Sequence, residues 1–258
     1  MDQGRHDWPN HWKKQPWTDF DVGCLPGNSW ANRWKHVAND PSANPKKGVY
    51  KVGWPKSDYV YTSKFKKNVL NLKKKLKLKK NFNILYAPSM ETDNKQLDVL
   101  SAAAHLKANF LVKHWVTKQD KNKRLDLYNN IIKANKISKK NYVNTRILNS
   151  KSDIFECLSI SDILITDESS VLYEAIILGV PTISLSDWVM RKNNEDKARK
   201  IKPSKYCYKI TNKKNLNNEL FKILNNINKV KKKINIEKKK HFSNLGHASE
   251  ATLNIIEN

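Results

Sequence analysis

Asp167, Ser169, Ser170 and Glu174 stand within one short stretch, between an apolar run, Ile163 to Ile165, and a second one that ends at Gly179. Two hydroxyls and a carboxylate in a turn that opens a helix suit anion binding. Unpaired N–H groups and the helix dipole converge at such an end. Glu174, one turn along, could accept hydrogen bonds from vicinal hydroxyls. A plain helix N-cap explains a serine at this position equally well, so the residues alone leave both readings open.

Other groups belong to the same inventory. His114 follows the apolar strand Phe110 to Lys113 and could donate to a phosphate oxygen or stabilise a leaving group; a surface histidine at a strand end fits too. Ser89 follows the apolar run ending at Ala87, and could meet a phosphate or simply belong to a loop. His6 next to Asp7 has the composition of a base and its orienting acid, although adjacent side chains rarely face each other. There is no Walker loop, no Gly-x-Gly-x-x-Gly, no His-Glu-x-x-His and no Gly-x-Ser-x-Gly, so hydride transfer, P-loop hydrolysis and zinc proteolysis are unsupported. No metal site and no cofactor are expected.

The elements that must hold these residues alternate. Strands are expected at Asn83–Ala87, Phe110–Lys113, Val143–Leu148, Ile163–Ile165, Thr182–Leu185 and Tyr206–Ile210. Helices are expected near 63–80, 94–107, 121–134, 154–158 and 170–178, and two helical stretches close the chain. Such alternation implies right-handed crossovers and a parallel sheet covered by helices, an α/β fold. Ligands of these sheets bind at the carboxyl ends of the strands, which would bring Ser89, His114 and Asp167 to Ser170 along one rim. In helix 63–80 the apolar side is read as Phe65, Val69, Leu70, Leu72, Leu76 and Leu78. Residues 1 to about 45 give little periodicity, and the charged connector 186–205 reads as a loop beside the rim.

Composition narrows the class. The chain has 258 residues, 39% of them hydrophobic, and eight Trp, which argues for a folded protein. No apolar run reaches the roughly 18 residues of a spanning helix, and the N-terminus lacks a signal-peptide core. Three scattered cysteines suggest a reducing compartment, hence a cytoplasmic address. The net charge of +25 fits a solvated basic surface, or attraction to an anionic membrane, a polyanionic polymer or nucleic acid. Aromatic residues are not interleaved with the lysine runs, which makes a single-strand nucleic-acid platform a poor fit.

Taken in order, several segments resemble the CDP-glycerol glycerophosphotransferase family, the teichoic-acid polymerases and primases with a GT-B fold. Its Gly-Tyr-Pro-Arg-Asn-Asp segment is similar to Gly53–Asp58, and its Ile-Leu-Tyr-Ala-Pro-Thr turn to Ile84–Ser89. Its Lys-x-His-Pro strand end is similar to Val112–Trp115, and its Asp-x-Leu-Ile-Thr-Asp-Tyr-Ser-Ser motif to Asp162–Ser170. Its closing Gly-Lys-Ala-Ser-Glu-Arg segment resembles Gly246–Ala251. The resemblance covers roughly residues 48 to 258.

It implies a GT-B-like, Rossmann-like nucleotide-donor domain over 63–258. Residues 1–62 would be the remnant of an incomplete N-terminal acceptor half. It also implies a transferase that moves a polyol phosphate from a CDP-activated donor to a hydroxyl acceptor in cell-surface polymer synthesis. His114, Ser169, Ser170, Asp167 and Ser89 would grip the donor pyrophosphate, and Glu174 would approach the ribose. His114 and, as a substitute acceptor base, His6 would be the catalytic groups. The acceptor would be a phosphate-rich polymer or lipid-linked, with peripheral association to the inner face of an anionic membrane. Two alternatives remain: another GT-B enzyme, either a sugar-nucleotide 2-epimerase or a glycosyltransferase, or a non-catalytic basic protein binding polyanions or membranes. The GT-B alternatives typically carry glycine rather than serine in the turn.

Overall fold

The computed structural model describes residues 20–37, 44–89, 91, 95–117, 121–122, 124–167, 169–185, 207–209 and 213–257. The chain divides into two compact units. One gathers the described residues up to Lys66 and those from Asn235 on; the other holds the described residues between Lys67 and Ile234. The sequence had suggested a single boundary at residue 62, whereas here the C-terminal residues join the N-terminal unit.

In the larger unit the strands are β3 (Asn83–Tyr86), β4 (Asn109–Val112), β5 (Thr145–Ile147), β6 (Ile163–Thr166), β7 (Thr182–Ser184) and β8 (Cys207–Lys209). They form one parallel sheet in the order β5-β4-β3-β6-β7-β8. Counted within the unit that is 3-2-1-4-5-6, the doubly wound order whose direction of growth reverses between the first and fourth strands, here β3 and β6. Ligand crevices of such sheets open at that reversal, beyond the strand carboxyl ends.

Alternation decides which face each strand residue covers. Ile84, Tyr86, Phe110, Val112, Ile163 and Ile165 pack in one core with Val99, Leu100 and Ala103 of helix α3 (Lys95–His105) and with Leu220 and Ile223 of α7 (Leu216–Asn225). Leu85, Leu111 and Leu164, which point the other way, are also fully buried, as are Phe155 and Leu158 of α5 (Ile154–Ser159). Both faces are therefore covered, which explains why these strands read as continuous apolar runs. Asp153 begins α5 by accepting from the N–H groups of Phe155 and Glu156 at 2.8 and 3.2 Å. Helix α4 (Leu125–Asn141) runs seven residues past its expected end, because Leu127, Ile131, Ala134 and Ser138 keep a buried stripe beyond Ala134.

The smaller unit contains β1 (Gly23–Leu25), α1 (Asn28–Val37) and β2 (Val49–Lys51), the two strands pairing in parallel. Neither β1 nor α1 was expected. A 3₁₀ turn, Pro55–Tyr61, follows, and α2 (Ser63–Leu76) begins here. In α2 Phe65 and Val69 are buried, but Leu70 is 58% exposed: it lies one residue, about 100°, round the helix from Val69. Among the described residues three helices rather than two follow β8: α7, α8 (Ile227–His241) and α9 (Ala248–Glu257). The connector 186–205 and His6 lie outside the described residues. No helix among the described residues is long and apolar enough to cross a membrane.

Candidate functional site

The carboxyl ends of β3 and β6 carry the turns 87–89 and 167–170. Asp167 is 1% exposed, and Ser89 holds its carboxylate: the Ser89 N–H donates to both oxygens (2.9 and 2.8 Å) and the hydroxyl donates to Oδ2 (2.7 Å). Ser89 and Asp167 are thus brought together, as the rim rule requires. The hydroxyl of Ser89 has one hydrogen, and in this arrangement Asp167 receives it. A carboxylate has none to give a phosphate. The pair therefore braces the crevice walls across the β3–β6 reversal.

The two serines differ. Thr166, fully buried, donates its hydroxyl hydrogen to the Ala87 carbonyl at 2.7 Å. The contact of its oxygen with Ser169 Oγ, at 3.2 Å, then has Ser169 as donor. Ser170 is exposed and occupies the N-cap of α6 (Val171–Leu178), yet its hydroxyl makes no capping hydrogen bond. The N–H groups of Leu172, Tyr173 and Glu174 fold back to the carbonyls of Ser169 and Ser170. A helix start of this kind favours an anion, through its first N–H groups and the helix dipole. Helix α6 ends where expected: Gly179 takes the left-handed conformation, φ 71°, and its N–H reaches back to Ala175 and Ile176. Glu174 lies in the first turn and is buried, 2% exposed.

His114 closes β4 and is 6% exposed. Its Nε2 meets Gln96 Oε1 at 2.8 Å, and its ring stands edge-on to Tyr86, centroids 6.1 Å apart. Burial, reinforced by the positive charges of Lys113 and Lys95, lowers its pKa to about 4, so the ring is neutral near pH 7. Beside His114, Trp115 is 41% exposed; its Nε1–H donates to the Ser89 carbonyl, and Arg124 lies 5.0 Å above its ring.

The sequence reading did not include Gln96, Glu91 or Tyr86. The Tyr86 hydroxyl donates to Glu91 Oε2 at 2.6 Å, and Glu91 Oε1 accepts the Gln96 N–H at 3.1 Å. Burial raises the Glu91 carboxyl above its ordinary value. A signal for Gln96 existed: residues 96, 99, 100 and 103 share one helix face, so a glutamine there is a polar residue on a buried stripe.

A Rossmann-like unit with this strand order, and its polar cluster at the reversal, is a fold of the GT-B type. The chain matches the family CDP-Glycerol:Poly(glycerophosphate) glycerophosphotransferase over residues 38–258, and it belongs to that family. Among solved structures it is similar to the wall teichoic acid polymerase TagF, with TM-score 0.61 and 19% identity, covering 92% of this chain and 57% of that one. It is also similar to UDP-GlcNAc 2-epimerase from Neisseria meningitidis, bound to UDP-GlcNAc (TM-score 0.62, 17% identity, 92% and 61% covered). A further likeness is to Anabaena Alr3699/HepE, in complex with UDP and glucose (TM-score 0.51, 12% identity, 92% and 62%). At these identities the likenesses establish the fold. The chain spans between 55% and 64% of the length of the structures it resembles. No curated protein matches it.

Proposed function

We propose that this chain binds a CDP-activated polyol phosphate at the β3–β6 crevice and passes the polyol phosphate, glycerol phosphate in the simplest case, to a hydroxyl acceptor. The observation that carries this reading is Ser170: exposed at the start of α6, at the point where strand order reverses, with its hydroxyl unused as a cap. The family match favours a cytidine donor over the sugar nucleotides of other GT-B enzymes, and the turn carries serine where those typically carry glycine.

In the transfer the acceptor hydroxyl gives its proton to a base, the role the family resemblance assigns to His6, and its oxygen forms a new bond to the distal phosphorus; the bond to the bridging oxygen breaks, and CMP departs with the negative charge. Little covalent help is needed; orientation and charge stabilisation suffice. The Ser170 hydroxyl and the amides of Ser170 and Val171 would bind the diphosphate. Ser89 and Asp167 would hold the walls, with Ser169 contributing after its hydroxyl turns from Thr166. His114 would act at the leaving phosphate. Glu174 would meet the ribose only once donor binding opens the turn that buries it. The net charge of +25 suits a phosphate-rich polymer or lipid-linked acceptor at the inner face of an anionic membrane.

A thermal-shift titration with CDP, CDP-glycerol, UDP, UDP-N-acetylglucosamine and a short DNA, at low and high salt, tests this. A ligand that binds only the folded chain raises Tm with concentration. The expected result is a salt-tolerant shift with the cytidine ligands. A shift with DNA alone, lost in high salt, would replace this reading with a basic polyanion-binding protein.

A further inference from the structure

We propose that Gln96 is the positioning residue of His114: its side-chain oxygen fixes the ring proton on Nε2 and reserves Nδ1 for the substrate. The inference rests on the reading that His114 serves a phosphate site, but its evidence is separate.

Gln96 is fully buried in the first turn of α3. Its amide nitrogen donates to Asn135 Oδ1 and Ser138 Oγ, both at 3.0 Å. A primary amide has two N–H groups, and α4 uses both. The carbonyl oxygen is then the atom that faces His114 at 2.8 Å, and an oxygen acceptor requires a proton on Nε2. The neutral ring thus carries its lone pair on Nδ1, which makes no hydrogen bond to a described residue. The backbone of Gln96 is pinned as well, through Glu91 to the hydroxyl of Tyr86, whose ring stands edge-on to the same imidazole. Tautomer and ring orientation are therefore set by a chain of buried groups from β3, α3 and α4.

The chemical consequence is directional. In this tautomer Nδ1 can take a proton from solvent while every bond to Gln96, Asn135 and Ser138 stays in place. With the amide turned over, the lone pair would lie on Nε2 against an N–H donor, and the imidazolium could form only by breaking that contact. Among the described residues the charged and titratable groups of this cluster include Lys113, Lys95, Glu91, Tyr86, Asp167 and Asp98; the lysines and burial keep the ring neutral while the site holds no anion. A diphosphate arriving at the rim adds the opposite charge and favours the proton on Nδ1. The ring that is neutral in the free protein becomes a donor when its ligand is present.

The direct test is long-range proton–nitrogen NMR on the full chain labelled with ¹⁵N-histidine, with His114 identified by its disappearance in His114→Gln. Near neutral pH the wild type should show a protonated Nε2 and an unprotonated Nδ1. Added CDP should move Nδ1 toward the protonated position. The opposite tautomer in the wild type overturns the proposal, and so does an Nδ1 that ignores CDP once CDP is bound. Gln96→Leu should give mixed tautomers and lower kcat about tenfold or more, with Gln96→Glu restoring the Nε2–H form and moving the pH profile upward. A single unchanged tautomer in Gln96→Leu would also overturn it. Because the wild-type spectrum needs neither a variant nor turnover, an inactive protein with the expected tautomer counts against the transfer reading and supports the role of Gln96.

Discussion

Two regions carry the family-like motifs, and they use similar residue types for different ends. In the smaller unit Gly53–Asp58 and Gly246–Ala251 come from opposite ends of the sequence and meet. Asp58 accepts the N–H groups of Ala248 and Ser249 at 3.0 and 2.7 Å, so a carboxylate caps α9. Gly53 has φ +96°, and a Cβ there would lie 2.5 Å from the Ser243 carbonyl oxygen. At the switch point of the larger unit the arrangement differs: the serine at the N-cap of α6 makes no side-chain capping bond. A closed helix start holds a fold together, while an open one can receive an anion. On the proposed reading, motif residues separate into structural and functional sets by whether their hydrogen bonds are already made.

That contrast can be broken or sharpened by substitution. The largest effect should fall on turnover: His114→Ala should lower kcat by about 10²- to 10⁴-fold, well beyond any change in donor affinity, as single-turnover kinetics would reveal. Equal losses in both would make His114 a binding residue only. Ser170→Ala should weaken CDP binding by about 1.5–3 kcal/mol, the value of a charge-assisted hydrogen bond, without lowering the Tm of the free protein. In the closed region Gly53→Ala should cost about 1–3 kcal/mol of stability in urea unfolding, because alanine tolerates neither the positive φ nor the close carbonyl. Asp58→Ala should cost about 0.5–2 kcal/mol by loss of the α9 cap, and the folded variant should keep its nucleotide preference. Ser169→Ala should give the smallest effect, under about 1 kcal/mol on CDP affinity, since its hydroxyl already serves Thr166. An effect of Ser169→Ala larger than that of Ser170→Ala would reverse the assignment of the two serines.

Much of the fold is legible in the sequence. The alternation of Asn83–Tyr86, Asn109–Val112 and Ile163–Thr166 with helices stands out because strands buried on both faces must be apolar throughout. Gly179 marked the end of α6 because only a left-handed residue makes that stop cheaply. The segment 23–37 was not legible: a three-residue strand and a helix around Trp30 and Trp34 are too short and too mixed for periodicity to register. Within the site, residue types located Asp167, Ser169 and Ser170 but not their division of labour. That depends on where single hydroxyl hydrogens go, which only the positions of Thr166, Ala87 and Ser89 decide. Gln96 belongs to no motif, and its one signal was a polar residue on the buried stripe of Val99, Leu100 and Ala103.

The most direct measurement is isothermal titration of CDP into the wild type, Ser170→Ala and Asp58→Ala under identical salt. The account predicts tight binding by the wild type and by folded Asp58→Ala, and a loss of about tenfold or more in Ser170→Ala. Binding by Ser170→Ala as tight as that of the wild type would contradict it, because the open start of α6 would then not be where the diphosphate sits.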